Sequence, residues 1–153
     1  MATERVRKFF TEKGLDLSII EFDADTSTSQ LAAEALGTEV SRIAKSMVFK
    51  TKEEDYIMIL AAGDVRINSK AVRDLVGSRT SMAKAEEVME VTGYYPGGVC
   101  PYALETPIPV YLDESLKDYD VIYTAAGTAN TVLPISFAEL KEITGASVCR
   151  VAK

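Results

Sequence analysis

The stretch IAKSMVFKTKEEDYIMILAA, residues 43–62, decides how this chain folds. It holds two runs rich in β-formers, 43–51 and 56–62, joined by the charged segment KEED. The short charged connection predicts a β-hairpin. Side chains on both faces of the first run are largely apolar, so we expect both faces of that strand to be covered.

Lys45 is the anomaly in the first run. Alternation places it on the same strand face as Ile43, Met47 and Phe49. Burying an ammonium group is costly unless a polar or anionic group pairs with it. Two interpretations stay open at this point. The side chain extends to water at an edge, or it lines a pocket that takes an anionic or polar ligand.

The rest of the chain predicts the element order α-β-α-β-β-α-α-loop-β-β-α-β. A first helix is predicted with Thr3 as its cap, and another is predicted to begin at Asn68. Ser27 and Ser136 are each followed three residues later by Gln or Glu, the spacing of a capping box. The later strands are predicted at 108–112, 119–126 and 146–151. Because strands and helices do not alternate regularly, the order predicts an α+β fold in which helices surround a mixed, strongly curved sheet. The length suits one domain over residues 1–153.

Composition excludes several classes of protein. The chain has no histidine, which excludes a Ser-His-Asp or Cys-His apparatus, and its two cysteines lack metal-binding spacing. We therefore expect no metal ion and no cofactor. The charged N-terminus without an apolar segment predicts a cytoplasmic protein that does not use a membrane. The net charge of −6 argues against general nucleic-acid binding, although residues 42–84 hold nine basic and five acidic residues.

The segment GYYPGGVCPY, residues 93–102, is a second candidate for chemistry. Its glycines would let backbone N–H groups approach a ligand, as in an oxyanion site, but a tight surface turn explains the same residues. Cys100 has no evident base beside it, which favours a buried spectator thiol. The segment YTAAGT, residues 123–128, is a strand running into a glycine, and this pattern fits either a pocket floor or an ordinary turn.

Taken together, these segments resemble the YbaK family of aminoacyl-tRNA deacylases, whose domain also occurs as an editing insertion in some prolyl-tRNA synthetases. The resemblance extends from about residue 20 to 145. It rests on the order of seven segments: EFDAD, AAEALG, IAKSMVFK, GDVRINSKAV, EEVMEVTGYYPGGVCPY, IPVYLDESL and YTAAG. The strand lysine and the Thr-Gly-x-x-x-Gly-Gly-Val-x-Pro loop are its most specific parts.

The resemblance implies a barrel-like sheet and hydrolysis of the ester between a wrong amino acid and the terminal adenosine of a tRNA. It places the catalytic groups at Lys45 and at the backbone of Gly98. The partner it implies is the tRNA acceptor end, the CCA terminus with its aminoacyl ester, and an aminoacyl-tRNA synthetase is a second candidate partner. The implied substrate-binding positions are Phe22, Thr28, Ser46, Gly97, Val99, Cys100, Pro101 and Gly127.

The amino acid removed stays open at this stage. The family's cysteine-releasing branch carries Ser and Asp where this chain has Ala125 and Val132, so Ala or another small residue fits equally well. Two other functions also stay open: a non-catalytic module that binds aminoacyl-tRNA or a synthetase, and a hydrolase of aminoacyl esters unrelated to tRNA.

Overall fold

A computed structural model describes residues 2–15 and 17–153 of the chain. The helices are α1 (Ala2–Glu12), α2 (Ser29–Leu36), α3 (Ser69–Val76), α4 (Ala85–Thr92) and α5 (Phe137–Thr144). The strands are β1 (Ile20–Glu21), β2 (Ala44–Thr51), β3 (Tyr56–Ala62), β4 (Thr80–Met82), β5 (Val110–Asp113), β6 (Ile122–Ala125), β7 (Thr131–Ile135) and β8 (Ser147–Cys149).

The strands form two sheets. The larger has the order β4-β2-β3-β5-β8, and the smaller has the order β1-β7-β6. β2 pairs antiparallel with both β3 and β4, whereas β5 pairs parallel with β3 and with β8, so the larger sheet is mixed. The predicted α+β class, the mixed sheet and the β2–β3 hairpin are confirmed.

Both faces of β2 are covered, as the sequence predicts. Ala44 and Val48 belong to the main core, together with buried side chains of α1, α4, α5 and β6. Phe49, on the opposite face, belongs to a second core that includes Val72 of α3, with Met47 packed against it. The two apolar faces therefore anchor β2 between two layers, and this fixes the position of Lys45 and Ser46 between those residues.

The structure adds two strands that the sequence did not predict, β4 and β7, and it corrects the predicted barrel and two helix caps. No closed barrel forms among the described residues, because the two sheets share no ladder and the edge of β2 meets β6 only through an isolated bridge between Tyr123 and Ile43, the residue before β2. The cap of α2 is Thr28 rather than Ser27, since the Thr28 hydroxyl accepts the Leu31 amide at 3.1 Å. Thr3 lies inside α1 and is buried, so it does not cap that helix.

Other helix ends carry the capping residues that the sequence predicts. Asn68 caps α3 through its side-chain oxygen, and Ser136 and Glu139 form the predicted capping box of α5. Gly37, Gly77 and Gly145 end helices in the left-handed conformation that favours glycine. No helix in the described part of the chain combines the length and hydrophobicity of a membrane span.

Candidate active site

A cavity of about 310 Å³ lies where β2 and β6 separate. Its walls come from β2, from the end of β6, from the start of α2, and from α4 with the segments on either side of it. Most of the lining is apolar, and the polar groups gather near Lys45, Ser46 and the start of α2. A small, largely apolar cavity with a few convergent polar groups is typical of a site for a small chemical group.

Lys45 lines this cavity and has an internal partner. Its ammonium group donates a hydrogen bond to the backbone carbonyl of Val65, in the segment that follows β3. Burial lowers the pKa of Lys45, and the negative charge of Asp64 acts in the opposite direction. The side chain of Lys45 therefore does not extend only into bulk water, and its ammonium group does not pair with a buried carboxylate. It spans the cavity wall and ends at a backbone carbonyl.

Ser46 and Thr28 also line the cavity. Among the buried side-chain polar atoms in the described part of the chain, the Ser46 hydroxyl oxygen is the one without a hydrogen-bond partner, and Ser46 lines the cavity. A buried hydroxyl without a partner is unusual, because desolvation costs free energy that a hydrogen bond normally offsets. The Thr28 hydroxyl, by contrast, is used to cap α2. Ser46 thus offers a free polar group to whatever enters the cavity.

The segment 93–102, called here the Gly-Gly loop, forms another part of the wall through Gly97 and Val99. The Gly98 amide donates to the Tyr95 carbonyl at 3.0 Å and the Gly98 carbonyl accepts from the Gly127 amide at 3.1 Å. A Cβ atom at Gly98 would lie 2.7 Å from the Gly127 backbone. Gly98 is therefore a position of close backbone packing, and its N–H would have to leave the Tyr95 carbonyl to contact a ligand.

Arg5 of α1 anchors the segments on either side of this loop. Its guanidinium group donates to the carbonyls of Thr92 and Ala103 and lies 4.5 Å from the centre of the Tyr94 ring. Thr92 and Ala103 flank the loop and Tyr94 lies within it, so the position of the loop depends on the docking of α1. This contact was not predicted from the sequence.

Cys100 and Pro101 of the loop are buried and lie outside the cavity lining. Burial raises the pKa of the Cys100 thiol to about 12, so the thiol is protonated near neutral pH. Behind the wall, the hydroxyl groups of Tyr102 and Thr124 lie 2.9 Å apart, and Thr124 itself lines the cavity. The structure thus places Cys100 in the core, where its reactivity as a nucleophile is low.

Phe22 and Gly127 are not among the lining residues either. Phe22 is half-buried, and its backbone exchanges hydrogen bonds with Asn130, with the Phe22 amide 2.9 Å from the Asn130 carbonyl. Gly127 has a φ of 103° and packs against the backbone of Ala2, where a side chain would not fit. Both residues support the β6–β7 connection rather than the cavity surface.

Several apolar lining residues carry no signal of function in the sequence: Ala32, Ala44, Met47, Val48, Ala83, Ala85 and Val88. Tyr123, Ala125 and Val132 also line the cavity, and the sequence pointed to them only through the YTAAGT segment and the comparison with the cysteine-releasing branch. Part of the cavity wall continues the hydrophobic core, and no pattern in one sequence separates the two. In the described part of the chain, no three His, Cys, Asp or Glu side chains are grouped as a metal site.

Comparison with known proteins agrees with this arrangement. The sequence model of the aminoacyl-tRNA editing domain family matches residues 23–143, which include the cavity residues of β2, β6 and the Gly-Gly loop. The chain belongs to the aminoacyl-tRNA editing domain family. The resemblance seen in the sequence is therefore confirmed.

Relatives of two kinds share this editing domain. YwhH of Bacillus subtilis strain 168, an uncharacterized protein, is 37% identical over 97% of this chain and 94% of its own length. A crystal structure of a proposed trans-editing enzyme for prolyl tRNA synthetase has a TM-score of 0.93 and 35% identity, covering 99% of this chain and 97% of that one. A proline–tRNA ligase of Bacillus pumilus is 34% identical over 76% of this chain, which corresponds to only 21% of the ligase.

Proposed function

We propose that this protein is a trans-editing aminoacyl-tRNA deacylase, a single domain that hydrolyses the ester of a mischarged tRNA. The substrate we propose is tRNA(Pro) carrying Ala, Cys or another small residue. The observation that carries the proposal is the cavity between β2 and β6, which combines a small apolar interior with Lys45 and the free Ser46 hydroxyl. Family membership and the similarity to a proposed trans-editing enzyme support it.

The size of the cavity favours a small aminoacyl group. A volume of about 310 Å³ is at the lower end of the range of roughly 300–1,000 Å³ for small-molecule sites. An aminoacyl group and part of its ribose fill such a space, whereas the body of a tRNA stays outside. Contact limited to the acceptor end also fits a chain of net charge −6, because few phosphates need to be neutralised.

Lys45 is proposed to hold the terminal nucleotide. Its ammonium group sits at the cavity wall and is partly desolvated, which strengthens its attraction to a ribose oxygen or a phosphate. Gly97 and Val99 would form the opposite wall and keep the ester near the open edge of β2. The Gly98 backbone stays a candidate oxyanion donor on the condition that its N–H leaves the Tyr95 carbonyl.

The reaction needs no protein nucleophile. The oxygen of a water molecule forms a bond to the acyl carbon, and the bond between that carbon and the ribose oxygen breaks. The ribose oxygen takes one proton of the water, and the amino acid leaves as a carboxylate whose second proton goes to solvent. Positioned backbone donors and Lys45 would stabilise the negative charge that develops on the carbonyl oxygen.

A deacylation screen tests the proposal. Purified protein is incubated with tRNA(Pro) charged with Ala, Cys or Pro and with Ser- and Thr-charged tRNAs, and released amino acid is measured. We expect release from at least one mischarged tRNA and little release of Pro from tRNA(Pro). Binding of charged tRNA without hydrolysis across the panel would favour the non-catalytic module instead. Cleavage of aminoacyl esters regardless of the nucleotide would favour a small-molecule hydrolase.

A further inference from the structure

The cavity meets β2 at its edge rather than on one of its faces. The lining includes every residue from Ile43 to Val48, and likewise the consecutive residues Tyr123 to Ala125 of β6. A cavity that lies over one face of a strand contacts alternate residues, because successive side chains point to opposite faces. Consecutive lining residues on both strands show that the cavity occupies the gap between two strand edges.

No strand pairs with β2 along this gap. The pairing with β4 begins at Phe49, and the bridge to β6 is confined to Ile43. Between them, the β2 edge opposite β3 faces the cavity from Ala44 to Val48. The flanking strands therefore leave a short stretch of open edge inside the protein.

The hydrogen-bond register identifies the groups on this edge. Thr51 donates its amide to Asp55 across the β2–β3 hairpin, so alternate residues from Thr51 back to Lys45 direct their backbone groups toward β3. Ser46 and Val48 direct theirs the other way, and the Val48 carbonyl accordingly accepts the Ala83 amide at 3.0 Å. The N–H and C=O of Ser46 therefore point into the gap between β2 and β6, where neither group is part of a β-ladder.

Backbone groups that lie outside a β-ladder in a partly enclosed site can pair with a ligand of the right shape. Ser46 presents one donor and one acceptor, spaced as in a strand that awaits an antiparallel neighbour, and its hydroxyl oxygen is buried without a partner beside them. An aminoacyl ester has the complementary groups, since its α-amino group and its carbonyl oxygen are spaced as in one residue of a strand.

We propose that the aminoacyl group of the substrate pairs with Ser46 as a one-residue β-strand. The Ser46 N–H donates to the ester carbonyl oxygen, and the Ser46 C=O accepts from the α-amino group. The Ser46 amide is then an oxyanion donor, because the same oxygen gains negative charge when water adds to the carbonyl carbon. This pairing rests on the proposed deacylase function.

The pairing fixes the orientation of the whole substrate. In an antiparallel hydrogen-bonded pair, opposite residues place their side chains on the same face, so an L-amino acid directs its side chain toward the face of Ala44 and Val48. Its carbonyl lies on the Lys45 side of Ser46, so the ribose extends toward Lys45. A D-amino acid that makes the same two hydrogen bonds directs its side chain to the opposite face, away from the apolar interior.

The stereochemical test uses the wild-type protein and the amino acid that the deacylation screen identifies among Ala, Cys, Ser and Thr. tRNA(Pro) is charged with the L- and the D-form, and single-turnover hydrolysis of each is measured. We expect the D-form to react at least tenfold more slowly. Equal rates would overturn the pairing.

The backbone test replaces single amides with esters in the chemically ligated chain. An ester at Ser46 removes an N–H that belongs to no β-ladder among the described residues, and it weakens the Lys45 carbonyl as an acceptor. We therefore expect a smaller fall in the unfolding midpoint than for an ester within a ladder, and a kcat/KM lower by about 100-fold or more. An ester at Lys50 is the matched control, since Lys50 pairs with Ser81 of β4 and lies outside the cavity lining. We expect it to lower the unfolding midpoint and leave kcat/KM unchanged.

The outcomes separate the two proposals. If the wild-type protein hydrolyses a mischarged tRNA and the Ser46 ester is as active as the Lys50 ester, the pairing is wrong and the deacylase function stands. If the wild-type protein hydrolyses none of the charged tRNAs, the deacylase function fails and the pairing falls with it.

Discussion

The ammonium group of Lys45 donates to the carbonyl of Val65, and this bond ties the start of β2 to the segment after β3. The bond leaves Lys45 in the cavity wall, where a ligand can share or take over its hydrogen bonds. Lys45 is therefore held in place before any substrate arrives, which reduces the entropy lost on binding.

Replacing this lysine tests its role in the reaction. We expect Lys45→Ala to lower kcat/KM for deacylation about 100-fold, because the terminal nucleotide loses its positioning group. Lys52→Ala is the matched control, since Lys52 is exposed in the hairpin turn and lies outside the cavity lining. Full activity of Lys45→Ala in the deacylation assay would remove Lys45 from the mechanism.

Gly98→Ala tests the packing of the loop against the β6–β7 connection. The added methyl group would lie 2.7 Å from the backbone of Gly127, so we expect a loss of about 1–3 kcal/mol in the free energy of unfolding by urea, together with reduced deacylation. Gly145→Ala is the control: its φ of 68° costs an alanine about 1–2 kcal/mol, but the added methyl group meets nothing within 4 Å. It should lose similar stability and keep its activity. Unchanged stability in Gly98→Ala would show that the loop moves easily.

The buried hydroxyl pair of Tyr102 and Thr124 should be coupled energetically. Tyr102→Phe leaves the Thr124 hydroxyl without its partner, and we expect a loss of about 1–3 kcal/mol in the free energy of unfolding. Adding Thr124→Val removes the second polar group, so the double variant should be more stable than the sum of the two single effects predicts. Urea denaturation of the four proteins measures this coupling, and strict additivity would contradict it.

Glu87 should make stability depend on acid pH. Its carboxylate accepts from Lys50 at 2.7 Å and from the Tyr56 hydroxyl at 3.0 Å. The bond from Lys50, followed by that from the Lys84 amide, lowers its pKa from 4.5 to about 2. A carboxylate with a lowered pKa stabilises the fold above its unfolded-state pKa, and this contribution is lost as pH falls toward about 2.

The measurement compares wild type with Glu87→Gln by urea unfolding between pH 7 and pH 2. We expect the wild type to be more stable at neutral pH and the difference to shrink as pH falls from about 4.5 to about 2. Glu86→Gln is the control, because Glu86 is exposed and is the immediate neighbour of Glu87. A difference that stays constant over this range would rule out the lowered pKa.

Local sequence chemistry predicted much of the fold. The charged KEED segment located the β2–β3 hairpin, and Asn68 and Ser136 located two helix starts, because turn and capping preferences act over a few residues. β7 was missed because Pro134 interrupts its pattern. The structure accepts this proline because β1 pairs only with Thr131 and Val132, so no strand faces Pro134 on that side.

Prediction of the site was less complete for a physical reason. Periodicity identified Lys45 as unusual, and the family resemblance added Thr28, Ser46, Gly97 and Val99, all of which line the cavity. Alternation assigns each residue of a strand to one of two faces, and it carries no information about which strand edge lacks a neighbour. The open edge of β2 depends on where β4 begins to pair and where β6 turns away, and both are tertiary features.

The open edge of β2, between its pairing with β4 and the bridge to β6, also has a consequence for self-association. An unpaired strand edge is ordinarily a place where another copy of a chain adds on and aggregation starts. Here the open edge runs only from Ala44 to Val48, roughly 13 Å at about 3.3 Å per residue, and it lies at the wall of a cavity of about 310 Å³. A space of this size admits one amino-acid residue and excludes an extended peptide. The fold thus leaves an unpaired strand edge accessible to a small ligand but not to a strand from another copy of the protein.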